Sequence, residues 1–281
     1  MGGVLKYYWD VERGRLDHGL RYCRFGHGAE TVVVIPGIDD ALHDFRWVPR
    51  LWAWYFRPLA AAGYTVVVLS RPRGLGDTAC TGELAELYGA VLQERFGPCH
   101  VVGISMGGMI AQHLAARRPA LVRRLVLAVT AHRLGDEGHT HGSTLSELAS
   151  AGRWRPFLLR TVRICFTGLH LWFLTGLLWV FGFVLFTRRA AAAKDFTASA
   201  LACAAHDATE LLRRIDVPTL VWGARGDCLF PYSAVSQMAS VLPRAQLVAV
   251  DGAHAAFLQH RTAFHGSVRA FLSSADSTEA P

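Results

Sequence analysis

The sequence has neither paired cysteines nor a recognisable export signal. Its six cysteines stand at positions 23, 80, 99, 165, 203 and 228, with irregular spacing and no C-x-x-C pair. This pattern argues against a disulfide framework and against a cysteine-based zinc site. The first twenty residues contain no apolar core of the kind that a signal peptide needs. We therefore expect a cytoplasmic protein with reduced thiols.

Charged residues are also scarce, at 18% of the chain, and the formal net charge is +7. Basic proteins attract nucleic acid or anionic lipid. No run of Lys and Arg interleaved with aromatic residues is present, so we predict no binding of nucleic acid. The excess of arginine is interpreted as a mildly cationic surface. The hydrophobic fraction of 52% is enough for a large core and excludes global disorder.

Short apolar runs alternate with helix-like segments along most of the chain. The runs are Thr31–Ile35, Tyr64–Leu69, Cys99–Ile104, Leu125–Val129, Thr219–Trp222 and Gln246–Val250. The helix-like segments lie at about 47–62, 82–96, 106–117, 232–241 and 256–272. This alternation predicts an α/β fold with a doubly wound, mostly parallel sheet. Two earlier β-prone runs, 4–9 and 20–25, are separated by a polar turn and predict an antiparallel edge pair.

The alternation stops between about 131 and 205. A polar stretch over 131–146, predicted to be a loop, leads into a long apolar stretch at 157–186. We predict a core in two parts, 1–134 and 206–273. An inserted, helical and strongly apolar cap at 135–205 separates these two parts. Residues 274–281 are expected to form a flexible tail.

A G-x-S-x-G motif, Gly103-Ile104-Ser105-Met106-Gly107, follows one predicted strand and opens a predicted helix. The motif by itself is common, and the strand–turn–helix context is what gives it weight. Glycines on both sides of the serine let the backbones of strand and helix approach closely. The hydroxyl then stands at the sheet edge beside a helix N-terminus, where backbone N–H groups stabilise a developing oxyanion.

With this motif the chain resembles the α/β-hydrolase superfamily, in its lipase, esterase and haloperoxidase-like branch. The resemblance covers about 26–135 and 215–272. It implies a nucleophile, an acid and a histidine in that order along the chain. Ser105 is the implied nucleophile. A serine at this position argues against the branches of the family that use an aspartate nucleophile.

The implied acid is Asp227, because it stands after a late strand with Pro231 four residues further on, as in the family. Asp251 is the alternative, and Asp216 is interpreted as a turn residue. The implied base is His254, in a Gly-Ala-His loop after the last predicted strand. A serine hydroxyl needs such a base, and the base needs an acid to fix its tautomer.

The resemblance also implies two oxyanion donors, the backbone N–H groups of Ile38 and Met106. The family often has His-Gly after the first central strand, whereas this chain has Pro36-Gly37 followed by Asp39 and Asp40. The two acids are expected to cap the next helix and to point away from the site. A second departure is the stretch 70–76, where Ser70 stands in place of an acid, and it is interpreted as structural variation.

The stretch 164–187 has no formally charged side chain and is long enough to cross a membrane. A single crossing would put Ser105 and the other two triad residues on opposite sides. We therefore favour a cap broken at Gly168, Gly176 and Gly182, covering the active site and making peripheral contact with a membrane. A cap that faces only the core and a true span are the alternatives.

We expect a serine hydrolase that cleaves a hydrophobic carboxylic ester through an acyl-enzyme, with a small lipophilic acyl substrate as its partner. Thioester, carbon–carbon or perhydrolysis chemistry is the alternative, and a non-catalytic membrane-interface module is a further one. No cofactor and no metal are expected, because His139 and His141 are interpreted as part of a solvated loop.

Overall fold

The computed structural model describes residues 10–42, 48–76, 78–181 and 190–274. Their strands form one eight-stranded sheet in the order β1-β2-β4-β3-β5-β6-β7-β8. The strands are β1 (Glu12–Arg15), β2 (Arg21–Phe25), β3 (Glu30–Ile35), β4 (Tyr64–Ser70), β5 (Cys99–Ile104), β6 (Val122–Ala128), β7 (Thr219–Ala224) and β8 (Ala245–Val250). Strands β3 to β8 are mutually parallel, and β1 and β2 are antiparallel to their neighbours. The predicted mostly parallel sheet is confirmed.

The α-helices of the described residues follow a similar order. They are α1 (Val48–Ala61), α2 (Thr81–Val91), α3 (Met106–Arg117), α4 (Asp136–Ser150), α5 (Trp154–Cys165), α6 (Gly168–Phe181), α7 (Ala190–Ala204), α8 (Tyr232–Val241), α9 (Ala256–Gln259) and α10 (Arg261–Ser273). The helices predicted at 106–117 and 232–241 have the predicted bounds. The one predicted at 256–272 is interrupted at His260, which has non-helical dihedral angles.

Alternate residues of the central strands pack on opposite faces of the sheet. Val33, Val67 and Val101 join one core with residues of α2, α3 and α8. Their neighbours Val32 and Val66 join a second core with residues of α1 and α10. Because both faces are covered by helices, the central strands β3, β4 and β5 are mostly apolar on both faces, which is the pattern expected of buried parallel strands.

Two local predictions are wrong. The antiparallel partner of β2 is Glu12–Arg15, inside the segment interpreted as a turn. The predicted run 4–9 lies outside the described residues. The polar stretch 131–146 is largely helical, because α4 begins at Asp136. Helix α4 carries acids in its first turn, where they favour a helix, and it packs against α7.

Helices α4 to α7 form the insertion between β6 and β7. Phe157 and Leu158 of α5 pack with Phe196 of α7 in a small core of their own. Gly168 has a φ of +60° and separates α5 from α6. Gly176 does not break α6, and Gly182 lies outside the described residues. None of the helices in the described part of the chain has the length and apolarity needed to cross a membrane.

Two loops at the carboxyl edge of the sheet hold the insertion in place. The carbonyl of Cys165, at the end of α5, accepts a hydrogen bond of 2.8 Å from the Ala255 N–H. The buried carboxylate of Asp195, on α7, accepts hydrogen bonds of 2.8 and 3.0 Å from the N–H groups of Gly74 and Leu75. The insertion is therefore fixed to the edge where parallel α/β sheets place their binding sites.

Candidate active site

Ser105 stands between β5 and α3 in a strained backbone conformation. Its φ is 53° and its ψ is −120°, a region that residues other than glycine rarely adopt. A side chain at Gly107 would lie 1.9 Å from the carbonyl oxygen of Ile35. One at Gly103 would lie 2.6 Å from the Gly107 carbonyl oxygen. The glycines therefore allow the close approach that holds the serine in this turn.

His254 connects Ser105 with Asp227. Its Nε2 lies 2.9 Å from the Ser105 Oγ, and its Nδ1 lies 2.8 Å from the Asp227 Oδ2. Since a carboxylate only accepts, Nδ1 carries the proton and Nε2 accepts from the serine hydroxyl. The structure thus brings together the three side chains that the sequence predicted, although they are up to 149 positions apart.

The carboxylate of Asp227 is held by its own loop. Its Oδ1 accepts hydrogen bonds from the N–H groups of Leu229 at 2.9 Å and Phe230 at 3.2 Å. The Phe230 ring lies 5.7 Å from the His254 ring, centre to centre. Side-chain exposure is 1% for Asp227 and 11% for His254. A buried acid with both oxygens bonded is well placed to orient an imidazole and to stabilise its cation.

The alternative acids stand elsewhere. The Asp251 side chain is 95% exposed and pairs with Arg225 at 3.7 Å. Asp216 is exposed before β7, and its carbonyl accepts a hydrogen bond from Arg244. The structure therefore places Asp227, and neither alternative, against His254.

Ile38 and Met106 both begin a helical turn. Ile38 opens the short 3-10 turn Ile38–Leu42, and Met106 opens α3. The first N–H groups of a helical turn have no partner within it and are free to bind an anion. A side chain at Gly37 would lie 3.4 Å from the Ser105 Cβ, so the loop of Ile38 passes directly beside the serine. This placement is compatible with the two predicted donors.

Arg71 holds that loop, a contact that the sequence analysis did not predict. Its side chain is fully buried. Nη1 donates to the carbonyls of Gly37 at 2.9 Å and Pro36 at 3.3 Å, and Nη2 donates to the carbonyl of Ile38 at 3.0 Å. A planar guanidinium that binds three successive carbonyls fixes the orientation of the peptide units that carry the adjacent N–H groups.

Asp40 completes this arrangement. Its Oδ2 accepts from the Ser70 hydroxyl at 2.8 Å, the Arg71 N–H at 3.0 Å and the Arg73 Nη1 at 3.2 Å. The carboxylate thus binds the loop after β4 instead of capping the next helix, as the sequence had suggested. Asp40, expected to cap a helix, and the stretch 70–76, interpreted as structural variation, are joined in one charge-paired contact. Their opposite charges were the signal that could have linked them.

One cluster among the described residues has the composition of a metal site. Glu137, His141 and Cys228 each offer a ligand atom, and these atoms lie within 4.8 Å of one another. The Arg160 guanidinium, however, donates from 3.0 Å to the His141 Nδ1. A fixed positive charge at that distance opposes a metal cation. Burial raises the pKa of the Cys228 thiol, with Asp227 as the second cause, so the thiolate that a metal would need is disfavoured.

The class of protein follows from the fold and from comparison with known families. A model of the alpha/beta hydrolase family matches residues 32–266. This chain belongs to that family. Its six parallel strands are those expected from the resemblance.

Individual proteins of known name match only part of this chain. A hydrolase of 2-hydroxy-6-oxononadienedioate and 2-hydroxy-6-oxononatrienedioate from Dechloromonas aromatica is 33% identical over 42% of each chain. A pimeloyl-[acyl-carrier protein] methyl ester esterase of Neisseria meningitidis is 31% identical over 62% of this chain and 69% of that protein. The match thus spans less than half the length of the first of these relatives.

Among solved structures, an enol-lactonase of Burkholderia xenovorans LB400 is similar over 94% of this chain and 100% of that one. The TM-score is 0.76, and the sequence identity is 20%. A likeness at this identity supports the fold alone, since one fold carries many reactions.

Proposed function

We propose that this protein is a serine hydrolase that cleaves a carboxylic ester through an acyl-enzyme. The hydrogen-bonded chain from Ser105 through His254 to Asp227, at a strained turn, is the observation that carries the proposal. Relatives whose names specify an esterase and a hydrolase support the same class of reaction.

In the acylation half of this mechanism, His254 Nε2 takes the proton of the Ser105 hydroxyl as the oxygen attacks the ester carbonyl. Asp227 keeps the imidazole in the required tautomer and stabilises its cation. The carbonyl oxygen becomes an oxyanion, and the N–H groups of Ile38 and Met106 stabilise it. The tetrahedral intermediate then expels the alcohol, which receives the proton from His254.

Deacylation repeats these steps with water. His254 takes a proton from the water, the hydroxide attacks the acyl carbonyl, and the carboxylic acid leaves while Ser105 regains its proton. Arg71 takes part only as a positioning residue, since it binds the carbonyls of the oxyanion loop and not the substrate.

The test is removal of the nucleophile. Ser105→Ala should abolish turnover of activated nitrophenyl esters, and a fluorophosphonate probe should label Ser105 in the unchanged protein. Full activity in the alanine variant would overturn the proposal. An unlabelled, inactive but folded protein would favour a non-catalytic binding module instead.

The preferred ester is proposed to be hydrophobic. The end of α5, which belongs to the insertion, lies next to His254 and Ala255. The small core of the insertion contains Phe157 and Phe196. Burial of each additional methylene contributes about 0.8 kcal/mol. We therefore expect nitrophenyl octanoate to be a better substrate than nitrophenyl acetate, and a clear preference for acetate would contradict this.

A different acyl bond is the second candidate. The relative from Dechloromonas aromatica is named for an oxo-dienedioate substrate and that from Neisseria for a methyl ester. A panel that keeps one acyl group and varies the leaving group among alcohol, thiol and carbon, with hydrogen peroxide offered in place of water as the acyl acceptor, would separate these reactions. The highest kcat/KM in the panel identifies the bond.

Peripheral contact with a membrane is a further part of the proposal. Leu169, Trp172 and Phe173 lie on one side of α6 and are 85%, 79% and 70% exposed. Exposed apolar groups of this size are favourable at the boundary between lipid headgroups and acyl chains. Co-sedimentation with vesicles should fall in a Trp172→Ser, Phe173→Ser variant. Equal sedimentation would contradict it.

A further inference from the structure

A cavity of about 470 Å³ lies between α4 and α5, and three arginines line it. They are Arg155, Arg160 and Arg163, all on α5. We propose that this cavity binds an anionic group, a carboxylate or a phosphate. Its volume lies within the range of about 300–1,000 Å³ that is usual for small-molecule sites.

The positive charge is directed into the cavity by the helix itself. Helix α5 begins at Trp154, so Arg155 stands in its first turn, where the helix dipole is positive. Arg160 and Arg163 follow on the same side. The Nε of Arg160 is buried and has no hydrogen-bond partner among the described residues. No carboxylate is among the described residues that line the cavity, and a charge-assisted hydrogen bond from a guanidinium to an anion is about twice as strong as a neutral one.

His141 adds to this preference. Its Nδ1 accepts a hydrogen bond of 3.0 Å from Arg160, which leaves its other nitrogen as a donor. Burial and the charge of Arg160 lower the pKa of His141, so the ring stays neutral beside the guanidinium. The Glu137 carboxylate lies within 4.8 Å of both His141 and Cys228, which line the cavity, but the three arginines outnumber this one acid. The lining is therefore cationic.

The remaining walls are apolar. Leu148 of α4 and Leu159 and Ile164 of α5 face the same space. Apolar walls with a few placed polar groups are typical of small-molecule sites. An alkyl chain that ends in an anion would satisfy both parts of the lining.

The cavity adjoins two of the triad residues. Cys228, which lines it, directly follows Asp227. The carbonyl of Ile164, which also lines it, lies 3.4 Å from the N–H of His254. Ser105 itself is not among the lining residues. The anion that binds here is therefore either the far end of the substrate or a separate small ion beside the triad. The first of these cases rests on the proposed function.

The first experiment measures binding without turnover. Inorganic phosphate and glutarate are titrated into the protein by calorimetry, alongside Arg160→Gln, Arg163→Gln and the control Arg213→Gln. Arg213 is exposed and does not line the cavity. Its replacement therefore removes the same charge from the protein and leaves the cavity lining unchanged. We expect at least one of the two anions to bind. Each cavity variant should weaken that binding about tenfold, the effect of losing about 1.4 kcal/mol from a charge-assisted bond, and the control should not.

The second experiment identifies the source. If the anion is the far end of the substrate, mono-nitrophenyl suberate, which ends in a carboxylate, should exceed nitrophenyl octanoate in kcat/KM by about tenfold. Arg163→Gln should then remove the difference between the two esters. If it is a separate ion, phosphate should change the rate with octanoate, and the same variant should abolish that change. Absence of binding, or an equal loss in Arg213→Gln, overturns the proposal. Because binding is measured directly, this result is independent of whether Ser105 is a nucleophile.

Discussion

The turn at Ser105 and the insertion α4–α7 meet at the same edge of the sheet, yet they are constrained very differently. At the turn, backbone atoms occupy the space that a side chain would need, 1.9 Å away at Gly107. In the insertion, a side chain at Gly142 or Gly176 would meet nothing within 4 Å. The proposed nucleophile thus stands where substitution is sterically blocked, whereas Gly142 and Gly176 of the insertion have room for a side chain.

The polar groups of the two regions differ in the same sense. Asp227 has both carboxylate oxygens bonded and is buried. In the insertion, the Nε of Arg160 is buried without a partner, and Trp172 is 79% exposed. A saturated buried network is rigid, whereas unsatisfied and exposed groups are free to bind something else.

The largest expected effect is on the triad. Asp227→Asn keeps the volume of the side chain but favours the wrong tautomer of His254. In a triad this change lowers kcat by about 10⁴-fold. We expect that loss without a comparable change in the temperature of unfolding. The measurement is kcat on nitrophenyl octanoate beside a thermal melt, and a loss below tenfold would separate Asp227 from the chemistry.

The second prediction compares a glycine from each region. Gly107→Ala should destabilise the protein by more than about 3 kcal/mol, because the clash is with backbone that has no room to move. Gly176→Ala, inside α6, should be neutral or stabilising by up to about 1 kcal/mol. Urea unfolding of both variants measures the difference. Similar unfolding free energies for the two would refute the steric contrast.

The third prediction concerns Arg71. Arg71→Lys keeps the buried positive charge but loses the fork that binds three carbonyls. We expect kcat to fall by about 10- to 100-fold, below the effect of losing a whole oxyanion donor, with little change in KM. Arg73→Lys, which keeps a charge beside Asp40 but is not bonded to those carbonyls, is the matched control. Equal losses in both would assign Arg71 a purely structural role.

The smallest predicted effect lies at the junction of the two regions. His113 of α3 and His206, just after α7, have ring centres 5.2 Å apart. Burial lowers the pKa of His206 to about 3 and that of His113 to about 4. The unfolded chain therefore takes up protons first, so stability is complete above about pH 6.5 and falls as the pH drops toward about 4.

Denaturant unfolding between about pH 7 and pH 4 measures this loss. His206→Gln can still hydrogen-bond the Thr81 hydroxyl, which lies 2.9 Å from the His206 Nδ1, and it should show a shallower pH dependence. An unchanged slope would show that His206 does not govern acid stability.

Most of the core was predictable from the sequence because local patterns suffice there. An uninterrupted apolar run such as Thr31–Ile35 is typical of a strand covered on both faces, and β3 extends it by one residue. The turn at Ser105 was predictable because the motif Gly103–Gly107 is local, although Gly107 is also required by the distant carbonyl of Ile35. The edge hairpin was not, because the pairing of Glu12–Arg15 depends on the neighbouring strand and not on its own residues.

The sequence by itself determined the parallel core, the strained turn and the identity of Ser105, Asp227 and His254 as candidates, since each follows a predicted strand in a recognisable order. Only the tertiary structure decided how they meet, at 2.8 and 2.9 Å. It alone revealed the clamp of Arg71 and the arginine-lined cavity. These features join segments that are distant along the chain, and short-range periodicity carries no information about which distant charges and carbonyls will face one another.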